Sequence, residues 1–222
     1  MIPLGALGML GAAPVTPVSL TYVAFTSAGV QGNPYTFTSH AIGTASAGRY
    51  VVVSVSVSNV IAPASVTVAG QATTRVNLIA SPSSRSTALF VTDSPVTTGT
   101  TADIAVTMGG TRDVEIAVFT LENAATPTSP DYTNTDIQTS TDTLTLDVNV
   151  DEGGAVLAQG VWDTASVTPT WSGVTLRATN SSANYHAIYG SAEGLSAETP
   201  RAVSTSSVNS NGGALSVSWS PA

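Results

Sequence analysis

The sequence contains only two imidazoles, His40 and His186, and imidazole is the side chain that most readily takes and returns a proton near neutral pH. A serine hydrolase would need one of them within hydrogen-bond reach of its nucleophile. His40 follows the strand-like run Tyr35-Thr36-Phe37-Thr38-Ser39. His186 lies in a segment where Tyr185, Ala187 and Tyr189 share one face and the imidazole takes the other. Neither stands near a Gly-x-Ser-x-Gly elbow, so both are read as structural or surface histidines. Seven of the fourteen carboxylates fall between Asp131 and Asp163, namely Asp131, Asp136, Asp142, Asp147, Asp151, Glu152 and Asp163. Calcium needs several oxygens converging on one point, which Asp131, Asn134 and Asp136 would have to supply from a loop. Their spacing matches no EF-hand or Gly-Asp repeat, and a solvated acidic loop is the preferred reading. A glycosidase pair drawn from Asp163, Glu193 and Glu198 would need two carboxylates facing one bond, and their scatter gives no sign of it. Cysteine is absent, which removes disulfides, thiolate metal sites and cysteine nucleophiles. No catalytic residue, metal site or cofactor is assigned, and the chain is read as not an enzyme.

The aromatic side chains offer a binding chemistry instead. Trp162 and Trp171 bracket one segment, with Tyr185 and Tyr189 shortly after, and flat rings beside polar groups hold sugars or pack partners. Trp219 alternates with Leu215 and Val217 and is expected inside; Trp162 continues an apolar strand. Trp171, between Thr170 and Ser172 at a turn, is the ring expected to be exposed. A glycan contact would be built from Trp171, Tyr185 and Tyr189.

The elements that position these residues are strands. Apolar side chains recur with period two from end to end, the signature of half-buried sheets. Val51, Val53, Val55 and Val57 are expected inside, with Val52, Ser54, Ser56 and Ser58 on the other, wet face. The same rule puts Val66, Val68, Ile104, Val106, Met108, Val114, Ile116 and Val118 inside, then Leu144, Leu146, Val148 and Val150. Gly70-Gln71, Gly109-Gly110 and Asn211-Gly212-Gly213 read as hairpin turns. About a dozen strands without helical crossovers predict an all-β, single antiparallel β-sandwich of jelly-roll-like or immunoglobulin-like type over residues 19–222. Residues 123–142 are expected to form either a linker between halves or, as preferred, a long surface loop.

Residues 1–18 stand apart: apolar without periodicity, interrupted by Gly5, Gly8 and Gly11 and by Pro3, Pro14 and Pro17. Lacking a basic leading region, the segment is not read as a signal peptide, and it is too short and glycine-rich for a membrane span. It is expected to be an extended arm, either packed on its own sandwich or, as preferred, docked on a partner through Met1, Ile2, Pro3, Leu4, Leu7, Met9 and Leu10. All six basic residues are arginines, and the net charge is −8, which argues against nucleic-acid binding. A surface rich in Ser and Thr, with 9% charged residues, requires little desolvation of charge on packing against neighbours.

The succession from Tyr35-Thr36-Phe37 through Arg49–Val57, Ala64–Val76, Arg85–Thr92 and Thr101–Leu121 resembles the small all-β virion proteins of tailed bacteriophages: head decoration, head fibre and minor tail components. The resemblance covers about Tyr22 to Trp219 and carries no catalytic motif. It implies a particle protein located in the virion, a capsid decoration or spike subunit whose partners are capsid or tail proteins. A symmetric homo-oligomer, such as a trimer, is then expected. The alternative role is a tail-fibre or receptor-binding module that contacts a host-surface glycan.

Overall fold

A computed structural model describes residues 14–58, 61–81, 85–140, 143–163, 169–181, 185–206 and 210–222. Among them the architecture is all-β and antiparallel, as the alternation predicts. The first eight strands are β1 (Ser19–Gln31), β2 (Tyr35–Ala41), β3 (Tyr50–Val57), β4 (Ser65–Val68), β5 (Gln71–Ser81), β6 (Arg85–Thr92), β7 (Thr101–Thr107) and β8 (Arg112–Glu122). They form one sheet in the order β1-β8-β3-β6-β5-β4-β7-β2. It curls until its two edge strands come together, where Thr26 of β1 and His40 of β2 share a hydrogen bond of 2.9 Å. The enclosed interior holds Val51, Val53, Val55 and Val57 against Val66, Val68, Ile104, Val106, Met108, Val114, Ile116 and Val118, the inward set expected from the alternation.

The remaining strands are β9 (Tyr132–Ser140), β10 (Thr143–Thr145), β11 (Val148–Val150), β12 (Gly154–Trp162), β13 (Thr170–Ser172), β14 (Thr175–Ser181), β15 (His186–Leu195), β16 (Glu198–Arg201), β17 (Ser204–Ser206) and β18 (Ser210–Trp219). Five of them make a second large sheet, β14-β15-β12-β18-β9. One face of it, carrying Leu157, Tyr189, Leu215, Val217 and Trp219, packs on Val52, Leu89, Val91, Phe119 and Leu121 of the first sheet. Its other face, with Val156, Trp162 and Ile188, is covered by Leu144, Leu146, Val148, Val150 and Val203. Leu144, Val148 and Val150 belong to strands of the small sheets β10-β17-β13 and β11-β16. Two β-sandwiches are thus stacked back to back, with three apolar interiors between four layers.

Stacking corrects the expectation of a wet face on β3. Val52 joins the interior between the two large sheets, and Ser54 and Ser56 are fully buried there. Period-two alternation reports a change of polarity between faces, and a hydroxyl face suits a covered polar seam as well as it suits water.

The turn residues divide. Ala69 and Gly70, with φ of 52° and 76°, make the tight turn from β4 to β5 in the mirror-image geometry that matches strand twist. Gly109-Gly110 makes no hairpin: β7 lies between β4 and β2 while β8 lies between β1 and β3, so the chain crosses from one wall of the curled sheet to the other. Gly212 and Gly213 lie inside β18. A Cβ on Gly212 would sit 2.5 Å from the Trp162 ring, and one on Gly213 2.9 Å from Ile79, so here glycine makes room for close packing rather than a bend.

The loop expected over 123–142 is shorter, because Tyr132–Ser140 forms β9 and pairs along β18 from Tyr132↔Ser218 to Ser140↔Ser210. Its polar composition reflects an edge strand, while the indole nitrogen of Trp219 donates to Pro127 O at 2.9 Å and fastens the loop ahead of it. The arm boundary also moves. Val18 is buried and its N–H donates to Gly153 O at 2.8 Å, and Asn123 Nδ2 donates to Pro17 O. Pro17 and Val18 therefore belong to the body. Met1, Ile2, Pro3, Leu4, Leu7, Met9 and Leu10 lie outside the described residues.

Candidate functional site

Among the described residues each candidate acid or base is committed to a local bond; Asp142 lies outside them. His40 Nε2 meets Thr26 Oγ1 and its Nδ1 meets Ala41 O at 3.0 Å. His186 is nearly buried, with Nε2 2.7 Å from Thr179 Oγ1. Asp131 accepts from the Ser220 N–H, and the two oxygens of Asp136 accept from the N–H groups of Ile137 and Thr145. Asn134 Nδ2 donates to Asp147 O. These groups tie loops and edge strands to their neighbours, and among the described residues no cluster of three or more His, Asp or Glu side chains is arranged to hold a metal ion. Asp163 accepts from Asn211, Glu193 from the Leu20 N–H, and Glu198 pairs with Arg201. The three carboxylates considered as a glycosidase pair thus serve separate local contacts.

The proposed sugar-binding rings are corrected by burial. Tyr185 and Tyr189 are 0% exposed, sealed between the two large sheets, where no glycan reaches. Trp171 is half-buried and lies against Gly190, where a Cβ would come within 2.8 Å of the indole. A turn position suggested exposure from sequence, but β13 pairs with β17 over the covered face of the second large sheet and turns the ring inward.

The densest polar constellation is internal. Glu115 of β8 is fully buried. Tyr189 donates to its Oε1 at 2.9 Å, and Asn180 Nδ2 donates to its Oε2. The Tyr189 hydroxyl also lies 3.2 Å from Ser56 Oγ; Gln159 Nε2 donates to Ser56 Oγ at 2.8 Å, and Ser54 donates to Gln159 Oε1. Burial pushes the Glu115 carboxyl up to about 7, while the Asn180, Tyr189 and Tyr185 donors pull it down and the Asp113 charge adds to the rise. Burial likewise raises the Tyr189 and Tyr185 hydroxyls far above their ordinary range. The chain of bonds joins β3 and β8 of the first sandwich to β12, β14 and β15 of the second. Sequence reasoning passed over Glu115, Gln159 and Asn180, although a lone carboxylate in the apolar run Val114–Leu121 and a lone amide in Ala155–Trp162 were visible signals.

Arg49 is a further buried charge that sequence reasoning did not single out, as is Asp113. Its guanidinium donates to the carbonyls of Val96, Gly43 and Thr98 at 2.9, 2.6 and 2.8 Å. It fastens two loops at the end of the curled sheet, a structural use of a forked donor.

At the surface, a depression of about 440 Å³ runs along the seam of the curled sheet, between Ala24 and Thr26 of β1 and Tyr35, Phe37 and His40 of β2. Each of these strands has a sheet neighbour on one side only, so backbone donors and acceptors border the groove. A second depression, of about 470 Å³, lies among Ile42, Gln71, Val96 and Asp103. Asp103 is occupied by the Ser39 N–H at 2.8 Å, and neither depression brings together a nucleophile, a base and an oxyanion donor.

No family model, no curated protein and no solved structure matches the chain.

Proposed function

We propose that this chain is a non-enzymatic structural subunit of a bacteriophage virion, a decoration or spike protein on the capsid surface docked through its apolar N-terminal segment. The observation that carries this reading is the junction at Pro17 and Val18. The body is fastened there by Val18 burial and by the Gly153 and Asn123 bonds, while thirteen residues without a single charge precede Pro14. An apolar, uncharged stretch ahead of a closed body suits insertion against a neighbouring subunit. The rest of the molecule fits a scaffold: its acids and imidazoles hold elements together, and its low charge density makes packing against neighbours inexpensive in desolvation. Support also comes from the strand succession that resembles phage virion proteins.

Deleting residues 1–13, which leaves Pro17 and Val18 in place, tests the docking role. The truncated protein is expected to keep the β-rich circular dichroism and melting temperature of the full chain, and to be absent from particles when it replaces it. Normal incorporation of the truncated protein would overturn the docking assignment.

A further inference from the structure

The interface between the two sandwiches contains a carboxylate whose hydrogen-bond partners are all neutral. Glu115 is enclosed by Tyr189 and Tyr185 on and beside β15, Asn180 on β14 and Ser56 on β3. Asp113, two residues along β8, is the like charge that faces it. Arg85 of β6 is the nearby cation: it lies over the Tyr185 ring, 5.5 Å from its centroid, and opposes the rise at that tyrosine. From β12 comes Gln159, uncharged, and from β1 the backbone partner Ser27. His186 projects from the opposite face of β15 to Thr179, and His40 lies at the seam of the curled sheet.

We propose that Glu115 is a proton-operated latch between the two sandwiches, holding them tightly when neutral and loosening them when ionised. A neutral carboxyl fits among neutral donors without leaving a buried charge uncompensated. The ionised form keeps its donors from Tyr189 and Asn180, yet it must sit fully buried among uncharged donors and beside Asp113. The two sheets are otherwise joined by apolar packing and by the uncharged bonds of Ser54 with Gln159 and of Asn77 with Ser216 O, so the cost of ionisation falls on the contact between them. Glu193 of β15 also bonds across, accepting from the Leu20 N–H of β1, but from an exposed position, and the inference does not depend on the virion reading.

The direction of the pH dependence follows from linkage. The folded carboxyl titrates at about 7 against an ordinary 4.5, so the folded state binds the proton more tightly than the unfolded chain. The stabilisation is complete below the unfolded value and is lost as pH rises through the folded one. Between about pH 5 and pH 8 the unfolding constant of the full chain is expected to rise by roughly a hundredfold, read as a falling urea midpoint. Glu115→Gln should flatten that dependence while leaving any contribution from the histidines. The carboxyl carbon of Glu115, followed by NMR in the wild-type chain, gives a measurement independent of whether the variant folds. A midpoint near neutrality is expected. A carboxyl that titrates near its ordinary value, or a wild-type urea midpoint that is flat or rises over this range, would overturn the latch.

Discussion

Trp162 sets the local rules for two strands. Its ring is fully buried, and Cβ atoms on Gly160 and Gly212 would each approach it to 2.5 Å. Glycine at these positions is therefore a packing requirement in β12 and β18, where it would otherwise weaken a strand. Gly212→Ala forces the indole off its seat, and a loss of about 1–3 kcal/mol is expected by urea denaturation, the ordinary cost of overpacking a filled core. An unchanged urea midpoint would show that the ring has room to move. The same reasoning explains why Asn211-Gly212-Gly213 misleads as a turn signal. Glycine marks either a bend or a close approach, and only the position of Trp162 distinguishes the two.

At the scale of elements, β3, β6 and β8 have apolar or hydroxyl side chains buried on both faces, whereas β13 and β16 are three- and four-residue strands with partly exposed side chains. Amide exchange should separate them. Protection is expected to be greatest in Tyr50–Val57 and Arg112–Glu122, opening only with the whole molecule, and much weaker in Thr170–Ser172 and Glu198–Arg201. Equal protection across the two groups would contradict the layered account.

Most of the strand inventory was legible in sequence, because alternating valines and leucines leave one plausible inward face, and those faces are inward here. The second burial of β3 was not legible, since Ser54 and Ser56 look alike whether they meet water or Gln159. β9 was not legible either. Its run from Tyr132 to Ile137 has little apolar alternation, and it is held by backbone pairing with β18. The candidate site suffered the same ambiguity. The aromatic residues chosen for binding include two that fill the interface, and the carboxylate that matters there stood in the middle of an apolar strand.

At the scale of the whole molecule, two sandwiches share one interior, and the candidate acid and base groups among the described residues hold elements together. The proposed role as a subunit of an assembly adds to this an apolar N-terminal stretch for docking and a sequence of low charge density. That central claim is tested most directly by antibody labelling of this chain on purified particles from cells that encode it, viewed by electron microscopy. The account expects regularly repeated labelling over the particle head. Particles that carry no label, with the chain recovered only in the particle-free fraction, would contradict it.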